Sequence, residues 1–125
     1  MKKTSVKWID RCIIESPIYI ALCTSEKDFK KEMKRLEVNN PPDWIVDDKG
    51  GKVHLLQQAS GKKTAIVCVR KHKDRIEMDG LLIHEAVHVW QEIKDDLNEH
   101  NPSPEFEAYS IQIIAQRLIE KMRGK

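Results

Sequence analysis

From Met78 to about Lys94, the residues Leu82, Ile83, Ala86, Val87, Trp90 and Ile93 recur at a spacing that places them over one broad helix face. From Glu105 to about Met122, Phe106, Ile113 and Leu118 repeat the pattern. Between the two, Asp95 to Pro104 is polar and carries Pro102 and Pro104, which mark a break. Two amphipathic helices joined by so short a connection should fold back antiparallel, since only then do their apolar stripes face one another. Whatever precedes them has to cover the rest of that apolar surface.

The preceding residues read mainly as a β region with one helix. Val6 to Ser16 is amphipathic and fits either a short helix or an extended segment, interrupted by Pro17. Ile18 to Cys23 is rich in β-branched, aromatic and aliphatic residues and predicts a strand. Ser25 offers an N-cap with Asp28 as a variant capping box, and Phe29, Met33 and Leu36 predict a helix from Ser25 to Val38. Asn39-Asn40-Pro41-Pro42 ends it. Trp44 to Val46 reads as a short strand, Asp48 to Gly51 as a turn, and Lys52 to Gln57 as a returning strand of a hairpin. After a second turn at Ser60 to Lys63, Thr64 to Val69 is the clearest strand in the chain. The expected fold is α+β, with a helix and a small antiparallel or mixed sheet packed on the C-terminal helix pair, in one domain over residues 1–125.

Composition narrows the function classes. Lys and Arg total 22 against 20 Asp and Glu, a net charge of +2, so bulk charge does not point to nucleic acid. The Lys/Arg-rich stretches at Lys27 to Arg35 and Lys62 to Lys73 are interleaved with acids or apolar residues and read as solvated faces. No apolar window approaches the roughly 18 residues that span a bilayer, and the N-terminus lacks a signal-peptide core, so a cytoplasmic protein without membrane contact is expected. Cys12, Cys23 and Cys68 form no C-x-x-C pair, which excludes a structural zinc finger and suits free, mostly buried thiols in a reducing compartment.

Chemistry concentrates on the first of the two long helices. His84-Glu85-Ala86-Val87-His88 is an H-E-x-x-H motif, expected by chance about 0.02 times in a chain of this composition. Residues four apart on a helix lie on one face, so both imidazoles can converge on one zinc ion. Glu85 is turned about 100° from His84, which suits reaching a metal-activated water rather than the metal. Zinc lowers the pKa of such a water to about 7, and Glu85 can take its proton during attack on a carbonyl carbon and return it to the leaving amine. A catalytic zinc wants a third protein ligand and an open position. The first turn of the next helix offers Glu105 and Glu107, which point about 200° apart, so only one can face the site.

His84-Glu85-x-x-His88, followed by a helix with Glu-x-x-Ala at Glu105 to Ala108, resembles the gluzincin branch of zincin metallopeptidases. The resemblance covers about Asp79 to Gln116, with a β–helix order before it. It implies a minimal zincin-like domain with His84, His88 and Glu105 as zinc ligands and Glu85 as general base. It puts Tyr109 where that family has a supporting Asp or Asn. There the phenol can hydrogen-bond a ligand histidine or a substrate carbonyl oxygen. It further implies a peptide or protein substrate along the edge of the hairpin from Trp44 to Val69, and a bacterial or phage origin. The metzincin pattern is excluded because Gln91 and Lys94 stand where its Gly and third His belong.

Other residues carry weaker signals. His54 and His72 read as surface or satisfied histidines, with His72 the choice for an oxyanion-stabilising group. His100 sits in an Asn/Pro-bounded loop, a poor support for a ligand. Trp8, Trp44 and Trp90 read as packing residues, Gln91 as a candidate to line the cleft, and Asp79-Gly80 as an entry turn with Asp79 as N-cap or supporting partner. A different class is also open: a non-catalytic interaction module retaining a zincin scaffold, its cleft completed by a larger partner or an oligomer.

Overall fold

The computed structural model describes residues 5–9, 16–46 and 49–125. The fold is α+β. Strands β1 (Lys7–Ile9), β2 (Ile18–Cys23), β3 (Gly51–Gln57) and β4 (Lys63–Val69) form one mixed sheet in the order β1-β2-β4-β3. Helices α1 (Glu26–Arg35), α2 (Arg75–Asp96) and α3 (Pro104–Met122) pack against it.

The two central strands are the most apolar ones. β2 and β4 run parallel, with Ile18 beside Lys63 and Cys23 beside Cys68, and their residues are almost all buried, as expected where both faces of a sheet are covered. Their alternation assigns the layers. Ile20, Leu22, Ala65, Val67 and Val69 point into a core shared with Leu82, Ala86, Trp90 and Ile114 of α2 and α3. Ala21, Cys23, Ile66 and Cys68 point the other way, toward Phe29 and Met33 of α1. The cysteines at 23 and 68 are free and buried, as expected. Cys12 and the segment around it lie outside the described residues.

Helix ends follow local chemistry. Ser25 caps α1: its Oγ accepts from Asp28 N at 3.2 Å and donates to Asp28 Oδ2 at 2.9 Å, the anticipated capping box. α2 begins earlier than the apolar periodicity indicates, because Asp74 Oδ1 accepts from Ile76 N (2.8 Å) and Glu77 N (3.1 Å) and nucleates an extra turn. Asp79-Gly80 is therefore inside the helix and not an entry turn. Asp79 instead accepts from Arg123 Nη2 at 2.8 Å, tying the end of α3 to the start of α2. Ser103 caps α3 ahead of Pro104.

Two β expectations are corrected. Trp44 to Val46 is not a strand. Trp44 and Ile45 are buried, but the Trp44 carbonyl takes a side-chain partner, His54 Nε2 at 3.0 Å, in place of a ladder bond, and its ring meets Phe29 at 5.9 Å. The expected hairpin of Trp44 to Val46 with Lys52 to Gln57 is likewise replaced by one of β3 with β4. β3 pairs antiparallel with β4 across a turn where Gly61 has φ of 90°, but β4 then inserts beside β2. Gly51, expected in a turn, is the first residue of β3, and Asp48 lies outside the described residues. β3 is thus an edge strand, and it lies against α2. Among the described residues, no helix is long and apolar enough to cross a membrane.

Candidate active site

The sequence of α2 makes one stripe that is neither buried under the sheet nor covered by α3. His84 and His88 lie on it, both exposed, with ring centroids 4.9 Å apart and planes at 75°. His88 Nδ1 is 3.0 Å from Gln91 Oε1. With Nδ1–H donating to that amide oxygen, Nε2 of His88 keeps its lone pair for a metal or a proton, the usual arrangement of an oriented histidine ligand.

Glu85 is turned toward β3. It is only 3% exposed. Its carboxylate has no hydrogen-bond partner among the described residues. Burial pushes its pKa up from the ordinary carboxylate range, against a weaker downward pull from His84, His88 and Lys52. The cause of the burial is the backbone of β3. A Cβ built on Gly51 would meet Glu85 Oε2 at 2.9 Å and the Cys68 carbonyl oxygen at 2.9 Å. A residue with a side chain would push the strand or the carboxylate away, so glycine at this position is what allows the close approach. A glycine just inside a strand is the signal for it, hidden here by the Gly50-Gly51 pair that reads as a turn.

Two cavities meet at this point. One of about 540 Å³ extends toward the start of α2 and includes His72, Ile76 and Leu81. The other, of about 400 Å³, extends toward its end and includes Lys52, His88 and Gln91. Lys49, Gly51, His84 and Glu85 line both. The result is a groove between the β3 edge and α2, with the Glu85 carboxylate midway along it. Gln91 lines the groove while remaining exposed, and His72 shares its first half. The cations at Lys49 and Lys52 were not legible as site residues, since isolated lysines near a turn carry no pattern.

The α3 residues stand apart from this groove. Glu107 faces α2, but it accepts from Trp90 Nε1 at 2.8 Å and lies 3.8 Å from Lys94 Nζ. Glu105 is exposed, and Tyr109 is 60% exposed. Neither lines either cavity. Among the described residues, no three His, Cys, Asp or Glu side chains are gathered as a metal-binding set. The structure therefore unites His84, Glu85 and His88 but does not bring Glu105 or Tyr109 to them. Comparison of the chain with protein-family models, curated proteins and solved structures finds no match. The donor chemistry alone fits zinc in part: two neighbouring imidazoles, one held by an amide, beside an unpartnered carboxylate.

His54 is a satisfied histidine, bonded to the Trp44 carbonyl and packed 5.3 Å from the Phe29 ring. His100 is exposed and outside both cavities. Trp90 is core, 1% exposed, with its ring edge-on to Phe106.

Proposed function

We propose that the protein is a zinc-dependent hydrolase with a zincin-like site, most simply a cytoplasmic peptidase, in which His84 and His88 hold the metal and Glu85 is the general base. The observation that carries this reading is Glu85, a residue only 3% exposed whose carboxylate opens on both halves of a groove, beside two imidazoles one helical turn apart. Burial raises its affinity for a proton, which suits a general base.

When bound, zinc supplies Lewis acidity that brings the pKa of water to about 7. The chain's own residues do the remainder. Glu85 Oε accepts a proton from the attacking water and delivers it to the leaving amine. Gln91 fixes the His88 ring. The outer edge of β3 can align an extended peptide by main-chain hydrogen bonds, leaving its side chains to the two cavities. The gluzincin resemblance implies Glu105 as third ligand and Tyr109 as the support of a ligand histidine, but in this structure both are exposed and outside the groove.

The test is metal quantification on the purified protein together with Glu85→Gln. Zinc at one equivalent in both proteins, with cleavage of a peptide pool lost only in the variant, supports a peptidase. Equal behaviour of the two on every pool removes it. One observation favours a second reading: among the described residues, no third donor is gathered beside the histidine pair. That suits an interaction module retaining the site's scaffold, which would bind peptides along β3 without turnover.

A further inference from the structure

We propose that Gly80 is the floor of a subsite that takes an apolar side chain of the bound peptide, of the size of leucine, and that the missing side chain at this position sets how large that group can be. The proposal rests on the reading of the groove as a peptide site.

Two neighbouring features of α2 have no explanation within the fold. The first is Gly80 itself. It lies in the second turn of the helix, where glycine is less favourable than alanine because its freer backbone loses more entropy on folding. Its backbone is helical, and a Cβ built on it meets no atom within 4 Å. Neither conformation nor crowding calls for glycine here, in contrast to Gly51. The second feature is Ile76, one turn earlier on the same face and 83% exposed.

Both residues line the 540 Å³ half of the groove. Positions 76, 80 and 84 follow one row of the helix, so the space over Gly80 is bounded by Ile76 on one side and His84 on the other. Leu81 closes it toward β3, since its Cδ1 would lie 3.2 Å from a Cβ on Gly50. Besides Glu85, the fully charged side chains of this half are Lys49 and Glu77, of opposite sign, so neither sign of ligand charge is favoured. What remains over Gly80 is a recess with Ile76 and Leu81 as walls. An apolar group seated there removes Ile76 from water, a gain that the free protein forgoes.

The dimensions suit an extended peptide. Gly80 precedes His84 by about 6 Å along the helix axis, and an extended chain advances about 3.4 Å per residue. A peptide laid along the β3 edge with one carbonyl at His84 and Glu85 therefore has a side chain over Gly80 within two residues of that carbonyl.

The experiment compares the full chain with Gly80→Ala and Gly80→Leu. Circular dichroism melts come first. Gly80→Ala is expected to melt above the parent, and a lower melting temperature would show that the fold itself needs the glycine and overturn the argument. N-acetyl-leucinamide is then titrated into ¹⁵N-labelled protein. Amide shifts centred on Ile76, Gly80 and Leu81 are expected in the parent and are expected to be lost in Gly80→Leu, whose side chain fills the recess. Shifts elsewhere only, or equal shifts in both proteins, overturn the proposal. Cleavage of a mixed peptide pool, read by mass spectrometry, separates the subsite from the hydrolase reading. The parent is expected to favour Leu, Ile or Met at one position within two residues of the cut. Gly80→Leu is expected to lower the kcat/KM ratio of leucine over alanine at that position by about 10-fold or more, the scale on which a pocket discriminates apolar groups. Cleavage with the same ratio in both proteins overturns the subsite and leaves the hydrolase. Parent shifts at Gly80 without any cleavage support the subsite and count against the hydrolase. Neither shifts nor cleavage overturns both.

Discussion

Gly51 and Glu85 are packed so closely that a single methyl group on the glycine would lie 2.9 Å from a carboxylate oxygen. The same methyl would lie 2.9 Å from the Cys68 carbonyl oxygen and 3.2 Å from Val69 Cγ1. Backbone and side chain both block escape. Gly51→Ala is therefore expected to destabilise the fold by about 1–3 kcal/mol, the usual range for overpacking, and to displace the Glu85 carboxylate. Thermal unfolding gives the first quantity. Turnover of a cleaved peptide gives the second, and a parent-like kcat in Gly51→Ala would detach Glu85 from this role.

Burial raises the Glu85 pKa, so its linkage to folding has a definite sign. The unfolded chain releases this proton first as pH rises through the ordinary carboxylate range. The folded chain holds it longer and binds more protons in that window, so stability falls as pH rises toward the raised folded value. Glu85→Gln has no such proton to lose. In metal-free protein it is expected to match the parent at acidic pH and to exceed it at neutral pH. Chemical denaturation with chelator at several pH values measures the difference, and parallel curves for the two proteins would contradict it.

Trp90 donates to Glu107 from a nearly closed environment. Glu107→Ala leaves that indole N–H unsatisfied and should cost about 1–3 kcal/mol. Glu107→Gln keeps an acceptor oxygen and should cost less. Urea titration of the two variants ranks them. Equal losses would show that the charge beside Lys94, not the indole bond, is what matters.

Glu32 is fully buried on α1, and its carboxylate is chelated by the Arg35 guanidinium, whose Nε donates to Oε1 at 2.9 Å. Arg35 also lies over the Trp8 ring at 5.7 Å. Arg35→Met keeps the packing on Trp8 but strands a buried carboxylate, with an expected loss of about 2 kcal/mol. The double variant Arg35→Met/Glu32→Leu should recover most of it. A double variant no more stable than Arg35→Met would assign the loss to packing on Trp8 instead.

Local signals were legible where the chain's own neighbours decide the structure. The Ser25 cap, the apolar run at Ile18 to Cys23 and the i, i+4 histidines depend on a few adjacent residues, and the structure has each where expected. Signals that depend on partners were not. Trp44 to Val46 has strand-like residues, but the His54 ring takes the Trp44 carbonyl, which no propensity can register. The parallel pairing of β2 with β4 is chosen by the helices that cover both faces. The orientation of Glu105 and Glu107 follows from the indole N–H at Trp90, a residue that reads only as core.

The central parallel pair has a consequence for how the molecule is made. Ile18 to Cys23 can reach its partner only after the chain has passed through α1, β3 and the hairpin turn. α2 rests its apolar face on residues from both of these strands. Neither the leading half of the chain nor the trailing half holds a complete floor for the helix that carries the histidines. Assembly of the groove is thus tied to the longest-range closure in the sheet, the step that loop entropy makes slowest.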